Sequence, residues 1–295
     1  MRCCTNRDAS TGWIHKKAGQ VYNSSMQRPP SQIAQTSRGA IEFATHGAQR
    51  GAAVILSHGT GGGYDQGLVL ARLLNGFQGL AVSRAGYLRT AVETGRSPAE
   101  LADAYAALLD SLHIEKAAIL GLSAGGMSAA QFALRHQSRC LALILADAIT
   151  KVPPTSSAKI VERANSLPDG VAWLLTRLAV HAVLPLMIRD AETRSMLRVF
   201  FENNPISERR SGVQNDLAQV RALDGFKWED INVPTLLIHG DKDNLIPLGY
   251  SQEIAQRIPN AELIVIKGGG HECLVSHQRE IAPKLNAFLV KHAVK

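Results

Sequence analysis

The sequence predicts an α/β fold: a mostly parallel sheet covered by helices on both faces, with a helical segment inserted between two of its strands. Three observations predict it. From about Arg38 onward, short β-branched runs alternate with helical stretches, the pattern of a parallel sheet packed on both sides. Over residues 151–225 the strand signal stops, and Leu, Met, Phe and Trp recur at helical spacing instead. Strands then resume at Thr235, so the sheet is built from both sides of the insertion.

Residues 1–37 read as a disordered basic extension, because Ser, Gly, Lys, Gln and Asn break up every apolar stretch and no secretory h-region forms. The core is expected over 38–150 and 226–295, with the insertion over 151–225 as a helical cap. The first strand expected is Ala53-Val54-Ile55-Leu56, which runs into a glycine-rich loop and then a helical stretch from Leu68 to Leu74. Gly79-Leu80-Ala81-Val82 is the next strand. Ser97-Pro98-Ala99-Glu100 then opens a helix to about Leu112, with an N-cap serine, a first-turn proline and an acid at the third position. Lys116–Leu120 is a third strand, Gly125–His136 a helix of small residues, and Leu141–Ala146 a fourth strand. After the insertion come strands at Thr235–Ile238 and Leu263–Ile266 and a last helix from about Ser276 to Val294.

Composition narrows the function. Hydrophobic residues make up 45% and charged residues 19%, values of an ordinary globular protein. The most apolar window, Val171–Ile188, is interrupted by Arg177, His181 and Pro185, so no membrane span is expected. The net charge of +7 is concentrated at the amino terminus: residues 1–50 hold seven Lys/Arg against two Asp/Glu, and the rest hold 25 against 23. With a nearly neutral body and no recognition motif, nucleic acid is not an expected partner. Four cysteines, two of them adjacent at Cys3-Cys4, specify neither a disulfide framework nor a metal site; this is compatible with a cytoplasmic location. Cys273 is expected to be a small buried residue.

The chemistry gathers in four loops. Gly121-Leu122-Ser123-Ala124-Gly125 follows an apolar strand and opens a helix, which satisfies both the G-x-S-x-G pattern and the context that gives it meaning. A serine on such a turn is exposed at the carboxyl edge of the sheet, and the residues two before and two after it must be small. A serine hydroxyl is a weak nucleophile and needs a base with something to orient it. His271, in Gly268-Gly269-Gly270-His271 after the last strand, is the candidate base. Three acids compete to orient it: Asp243 and Asp241 in Gly240-Asp241-Lys242-Asp243-Asn244, and Asp147 at the end of the fourth strand. The chain order Ser, Asp, His favours Asp243, with Asp241 suited to a turn role. For the oxyanion, the Ala124 amide follows from the elbow itself. Thr60, in His58-Gly59-Thr60-Gly61-Gly62-Gly63, is the expected second donor. That loop lacks the Lys-Ser/Thr and G-x-G-x-x-G spacings of a phosphate loop. His58 and His239 are expected to bond loop backbone at the strand ends.

These four loops, in this order, resemble the α/β-hydrolase superfamily from about Ile41 to the carboxyl terminus, in the manner of serine esterases with a helical cap. The resemblance implies a sheet of about eight strands and hydrolysis without a cofactor or metal. The loop Ser83-Arg84-Ala85-Gly86-Tyr87-Leu88 departs from the family's Asp-x-x-Gly-x-Gly, so some contacts that hold the loops must differ. Glu272 stands where several carbon–carbon bond hydrolases of the family carry an aromatic residue. The expected activity is cleavage of a small-molecule carboxylic ester through an acyl-enzyme on Ser123, His271 and Asp243. Lactone, thioester and carbon–carbon bond cleavage on the same triad, and a non-catalytic ligand-binding role, are the alternatives. Lys151–Gly225 holds ten Lys/Arg against eight Asp/Glu, so its charge selects no substrate, and the oligomeric state is left open.

Overall fold

Apolar runs that are buried on both faces build the centre of the molecule. In a computed structural model that describes residues 28–183, 191, 194, 195, 198 and 205–293, eight strands form one sheet: β1 (Gln32–Thr36), β2 (Gly39–Gly47), β3 (Ala53–Ser57), β4 (Gln78–Val82), β5 (Ala117–Leu122), β6 (Cys140–Ala146), β7 (Thr235–Gly240) and β8 (Ala261–Ile266). Their spatial order is β1-β2-β4-β3-β5-β6-β7-β8. The β1/β2 and β2/β4 pairs are antiparallel, and every other pair is parallel.

Each parallel strand feeds side chains to two cores, as a period of two requires. Ile55, Leu80, Ile119 and Leu143 face one core, closed by α2 (Pro98–Ser111) and α3 (Gly125–Arg135). Val54, Leu56, Leu120 and Ile144 face the other, closed by α1 (Tyr64–Ala71) and the terminal helix α8 (Gln278–Ala293). The capping box expected at Ser97 is present: Ser97 Oγ accepts from the Glu100 amide and the Glu100 carboxylate from the Ser97 amide. Between β6 and β7 lie α4 (Thr155–Ser166), α5 (Asp169–Leu178) and α6 (Arg210–Gln219). A further helix, α7 (Leu248–Arg257), follows β7 and buries Ile254.

Several expectations need correction. The extension expected over 1–37 is too long at its carboxyl end, because Gln32–Thr36 is a strand, and residues 1–27 lie outside the described residues. Neither β1 nor β2 carries a clear apolar signal. β1 is a mostly polar edge strand, and β2 is interrupted by Glu42, a buried carboxylate that accepts from Arg89 Nε at 2.7 Å and Ser83 Oγ at 2.9 Å. The helix expected at Leu68–Leu74 begins earlier, at Tyr64, and ends in tighter turns over residues 72–74. Gly67 obscures it: a Cβ there would stand 2.8 Å from that of Ala81, so the glycine lets α1 sit close against β4. The last helix is split into a turn at Cys273–Ser276 and α8. Part of the 151–225 insertion also lies outside the described residues.

Candidate active site

The site forms at the carboxyl edge of the sheet, where β3, β5, β7 and β8 end. Ser123 follows β5 with φ +51°, a left-handed conformation that an ordinary side chain adopts only under constraint. Three backbone bonds supply the constraint: its amide donates to Ala146 O at 3.0 Å, and its carbonyl accepts from Gly126 and Ile149 amides at 3.0 Å each. The glycines two residues away on either side are obligatory. A Cβ on Gly121 would meet Ala129 Cβ at 2.7 Å, and one on Gly125 would run into the Ser57 carbonyl and lie 2.6 Å from that of His58.

Ser123 Oγ lies 3.0 Å from His271 Nε2, and His271 Nδ1 lies 2.8 Å from Asp243 Oδ2. Asp243 Oδ1 accepts from the Leu245 and Ile246 amides at 2.8 and 2.9 Å. Burial alone would raise its pKa. Hydrogen bonding with His239 and His271 and the Ile246 amide outweigh burial and hold the carboxyl well below the usual carboxylate range. An ionised carboxylate only accepts, so Nδ1 carries the imidazole proton and Nε2 is left to accept from the serine hydroxyl.

The other two acids have different occupations. Asp241 Oδ1 accepts from the Gly268 amide at 2.6 Å, a turn role. Asp147, at φ +42°, accepts from the Gly240 amide at 3.0 Å and from the Cys273 thiol at 3.1 Å, and burial pushes its pKa up to about 6. Cys273 is therefore buried as expected but is also a donor, and burial beside Asp147 drives its own pKa up. Asp147, His239 and Asp243 present ligand-type atoms within 4.8 Å of one another. Those atoms are already engaged with Gly240, Cys273, Ser251, Ile246, Leu245 and His271, which makes the cluster a hydrogen-bonded scaffold and a poor cage for a cation.

Two amides beside Ser123 stand apart. Among the described residues, neither the Thr60 nor the Ala124 N–H donates a hydrogen bond within the protein. Buried amides are nearly always paired, and Ala124 is fully buried at the start of α3. The loop that carries Thr60 presses on the serine: a Cβ on Gly59 would lie 3.2 Å from Ser123 Cβ. His58 donates from Nδ1 to Gly59 O at 2.7 Å and accepts the Arg84 amide on Nε2 at 3.0 Å. Burial and the nearby Arg84 guanidinium keep this imidazole neutral. His239 likewise bonds Ile246 O at 3.0 Å.

Buried charges that no sequence motif marks hold the loops around the site. Asp216 on α6 receives Arg84 Nη1 at 2.5 Å, Arg84 Nη2 at 2.7 Å, Tyr87 OH at 2.6 Å and Thr60 Oγ1 at 3.0 Å. Arg209 pairs with Asp65 at 2.6 Å and donates to Gly62 O at 2.5 Å. The departure at Ser83–Leu88 was the available signal, since Arg84 and Tyr87 are what that loop contributes.

Ser123 and His271 open into a cavity of about 800 Å³ that described residues of the insertion help to line. Its walls are largely aliphatic, with Leu122, Ile149, Val161, Val213 and Ile246 among them, and Glu162 and Glu272 also line it. Trp173 is not among its walls and is half exposed, with Arg177 stacked on its ring at 5.2 Å. No helix of the described residues is long and apolar enough to cross a membrane.

A family model described as alpha/beta hydrolase fold matches residues 52–278. The chain belongs to that family. An uncharacterized hydrolase, YcgS, of Bacillus subtilis is 27% identical over 79% of this chain and 88% of its own length. A 2-hydroxymuconate semialdehyde hydrolase of Pseudomonas putida is 30% identical over 70% of this chain and 74% of its own. An alpha/beta hydrolase fold protein from Nakamurella multipartita superposes with a TM-score of 0.74 at 26% identity, covering 88% of this chain and 99% of that one. Family and relatives agree on a hydrolase of the α/β fold.

Proposed function

We propose that the protein is a serine hydrolase that cleaves a carboxylic ester through an acyl-enzyme, with Ser123 as nucleophile, His271 as general base and acid, and Asp243 as the acid that orients it. The observation that carries the reading is the hydrogen-bonded line from Asp243 through His271 to Ser123, at 2.8 and 3.0 Å, ending beside two uncommitted amides.

Ser123 Oγ attacks the carbonyl while His271 Nε2 takes its proton, and Asp243 stabilises the imidazolium that forms. The Thr60 and Ala124 amides receive the oxyanion, and the amino-terminal end of α3 adds its partial positive charge. His271 then returns the proton to the departing alcohol. Water, deprotonated by the same histidine, releases the acid. No step needs a cofactor or metal.

The described residues of the 151–225 insertion that line the 800 Å³ cavity serve as its cap. Its aliphatic walls suit an apolar acyl or alcohol group, and Glu162 and Glu272 oppose an anionic one. The Pseudomonas putida relative supports a second reading, hydrolysis of a carbon–carbon bond on the same triad. Glu272, a carboxylate at the cavity wall next to His271, weighs against an anionic substrate of that kind. Turnover of a p-nitrophenyl ester by the Ser123→Ala variant tests the proposal. A loss on the order of 10⁶ in kcat is expected if the three residues act as a unit; near-unchanged hydrolysis contradicts it.

A further inference from the structure

Beyond the triad, the most heavily engaged side chain near the site is a carboxylate that no step of the chemistry uses. Asp216 is 2% exposed and comes from the insertion, 156 residues along the chain from Thr60. Its Oδ2 gathers three donors: Thr60 Oγ1 at 3.0 Å, Arg84 Nη2 at 2.7 Å and Tyr87 OH at 2.6 Å. The Tyr87 hydroxyl in turn accepts the Gly61 amide at 3.2 Å. Two consecutive residues of the loop beside Ser123 are therefore located by one buried carboxylate, Thr60 through its side chain and Gly61 through its backbone.

The next residue is held from the position that caps the same helix. Arg209, 1% exposed, donates to Gly62 O and pairs with Asp65, also 1% exposed. Arg209 and Asp216, at the cap and in the body of α6, thus fix three successive residues of the loop with two buried ion pairs. Packing a helix onto a loop does not require this. Apolar residues of similar volume serve as well or better, because each buried charge must be desolvated. Charge at such a position gives direction, and direction is what an oxyanion donor needs: its amide must already point at the developing charge when the reaction begins.

We infer that Asp216 is a positioning residue for the Thr60 amide, acting through the Thr60 hydroxyl, so that the insertion forms part of the oxyanion site as well as a wall of the substrate chamber. The inference rests on the proposed role of Thr60. Asp216 itself touches neither substrate nor nucleophile. Its contribution is the orientation of a peptide group.

Replacing Asp216 would strand the buried Arg84, so the incisive variant is Thr60→Val. It is close in shape, deletes only the hydroxyl and leaves the Arg84–Asp216–Tyr87 bonds in place. We expect kcat for a p-nitrophenyl ester to fall about 10- to 100-fold, less than the 10²- to 10³-fold that follows outright loss of an oxyanion donor. KM should stay within about threefold and Tm within about 2 °C. A merely structural contact would lower Tm and leave kcat alone. Thr60→Ser, which restores the hydroxyl, should recover most of the lost kcat. In an Asp216→Asn background, provided that protein folds, Thr60→Val should cost much less than it does in the wild type. Stoichiometric fluorophosphonate labelling of wild-type Ser123 with unchanged kcat in Thr60→Val would overturn the role of Asp216 while leaving the hydrolase reading intact. Absence of labelling in the wild type would overturn that reading itself.

Discussion

Replacing Asp243 with Asn separates geometry from charge. Oδ1 accepts from the Leu245 and Ile246 amides at 2.8 and 2.9 Å, so the asparagine must place its carbonyl oxygen there; the reverse orientation would set its NH₂ against two donors. The NH₂ then occupies the position of Oδ2, 2.8 Å from His271 Nδ1. It donates, so Nδ1 must be the acceptor and the imidazole proton moves to Nε2, the nitrogen that faces Ser123 Oγ at 3.0 Å. The base is then in place but carries the wrong proton. For a histidine held in the wrong tautomer the loss in kcat is about 10⁴-fold, equivalent to about 5 kcal/mol of transition-state stabilisation. The assay is steady-state hydrolysis of a short-chain p-nitrophenyl ester at pH 7.5, with circular dichroism to confirm the fold. KM should change little, because no substrate contact is lost. A kcat within tenfold of wild type refutes the reasoning, as does an Asp147→Asn variant that reproduces the loss.

Asp147→Asn should behave in the opposite way, affecting stability and sparing turnover. Its pKa of about 6 in the fold, against an ordinary 3.8, means that ionisation costs the folded state about 3 kcal/mol at neutral pH. The penalty grows as pH rises from 3.8 to about 6 and is absent below that window. The variant should therefore have a higher Tm than wild type at pH 7.5, with the gain shrinking toward pH 4; an equal difference at both pH values contradicts the assignment. Gly125→Ala should lose the elbow, because the new methyl meets the Ser57 and His58 carbonyls, and backbone cannot give way as a flexible side chain can. Little soluble, folded protein is expected, and recovery of a normally melting, active variant would contradict the packing described.

What the sequence disclosed follows from how locally each feature is determined. The parallel strands from β3 to β7 are read from their residues because both faces are buried and the apolar runs are unbroken. β2 is buried too, but Glu42 interrupts it, and what makes that charge tolerable is Arg89, 47 residues away. Ser123 and His271 sit in glycine-bearing loops whose composition is itself a constraint, so both stand out as candidates in the sequence. Chain order favours Asp243 over Asp147, and the contacts of the two differ: Asp147 points at Gly240 and Cys273, Asp243 at His271. Asp216 was invisible. In a polar helical stretch it resembles any solvated charge, and what buries it is a guanidinium 132 residues distant.

An activated Ser123 reacts with a fluorophosphonate, and labelling followed by peptide mass spectrometry locates the adduct. One adduct per chain is expected, located on Ser123, formed rapidly in the wild type, absent in Ser123→Ala and strongly slowed in His271→Ala. A folded wild-type protein that takes up no label, or takes it up at another residue, would contradict the role of Ser123 as nucleophile.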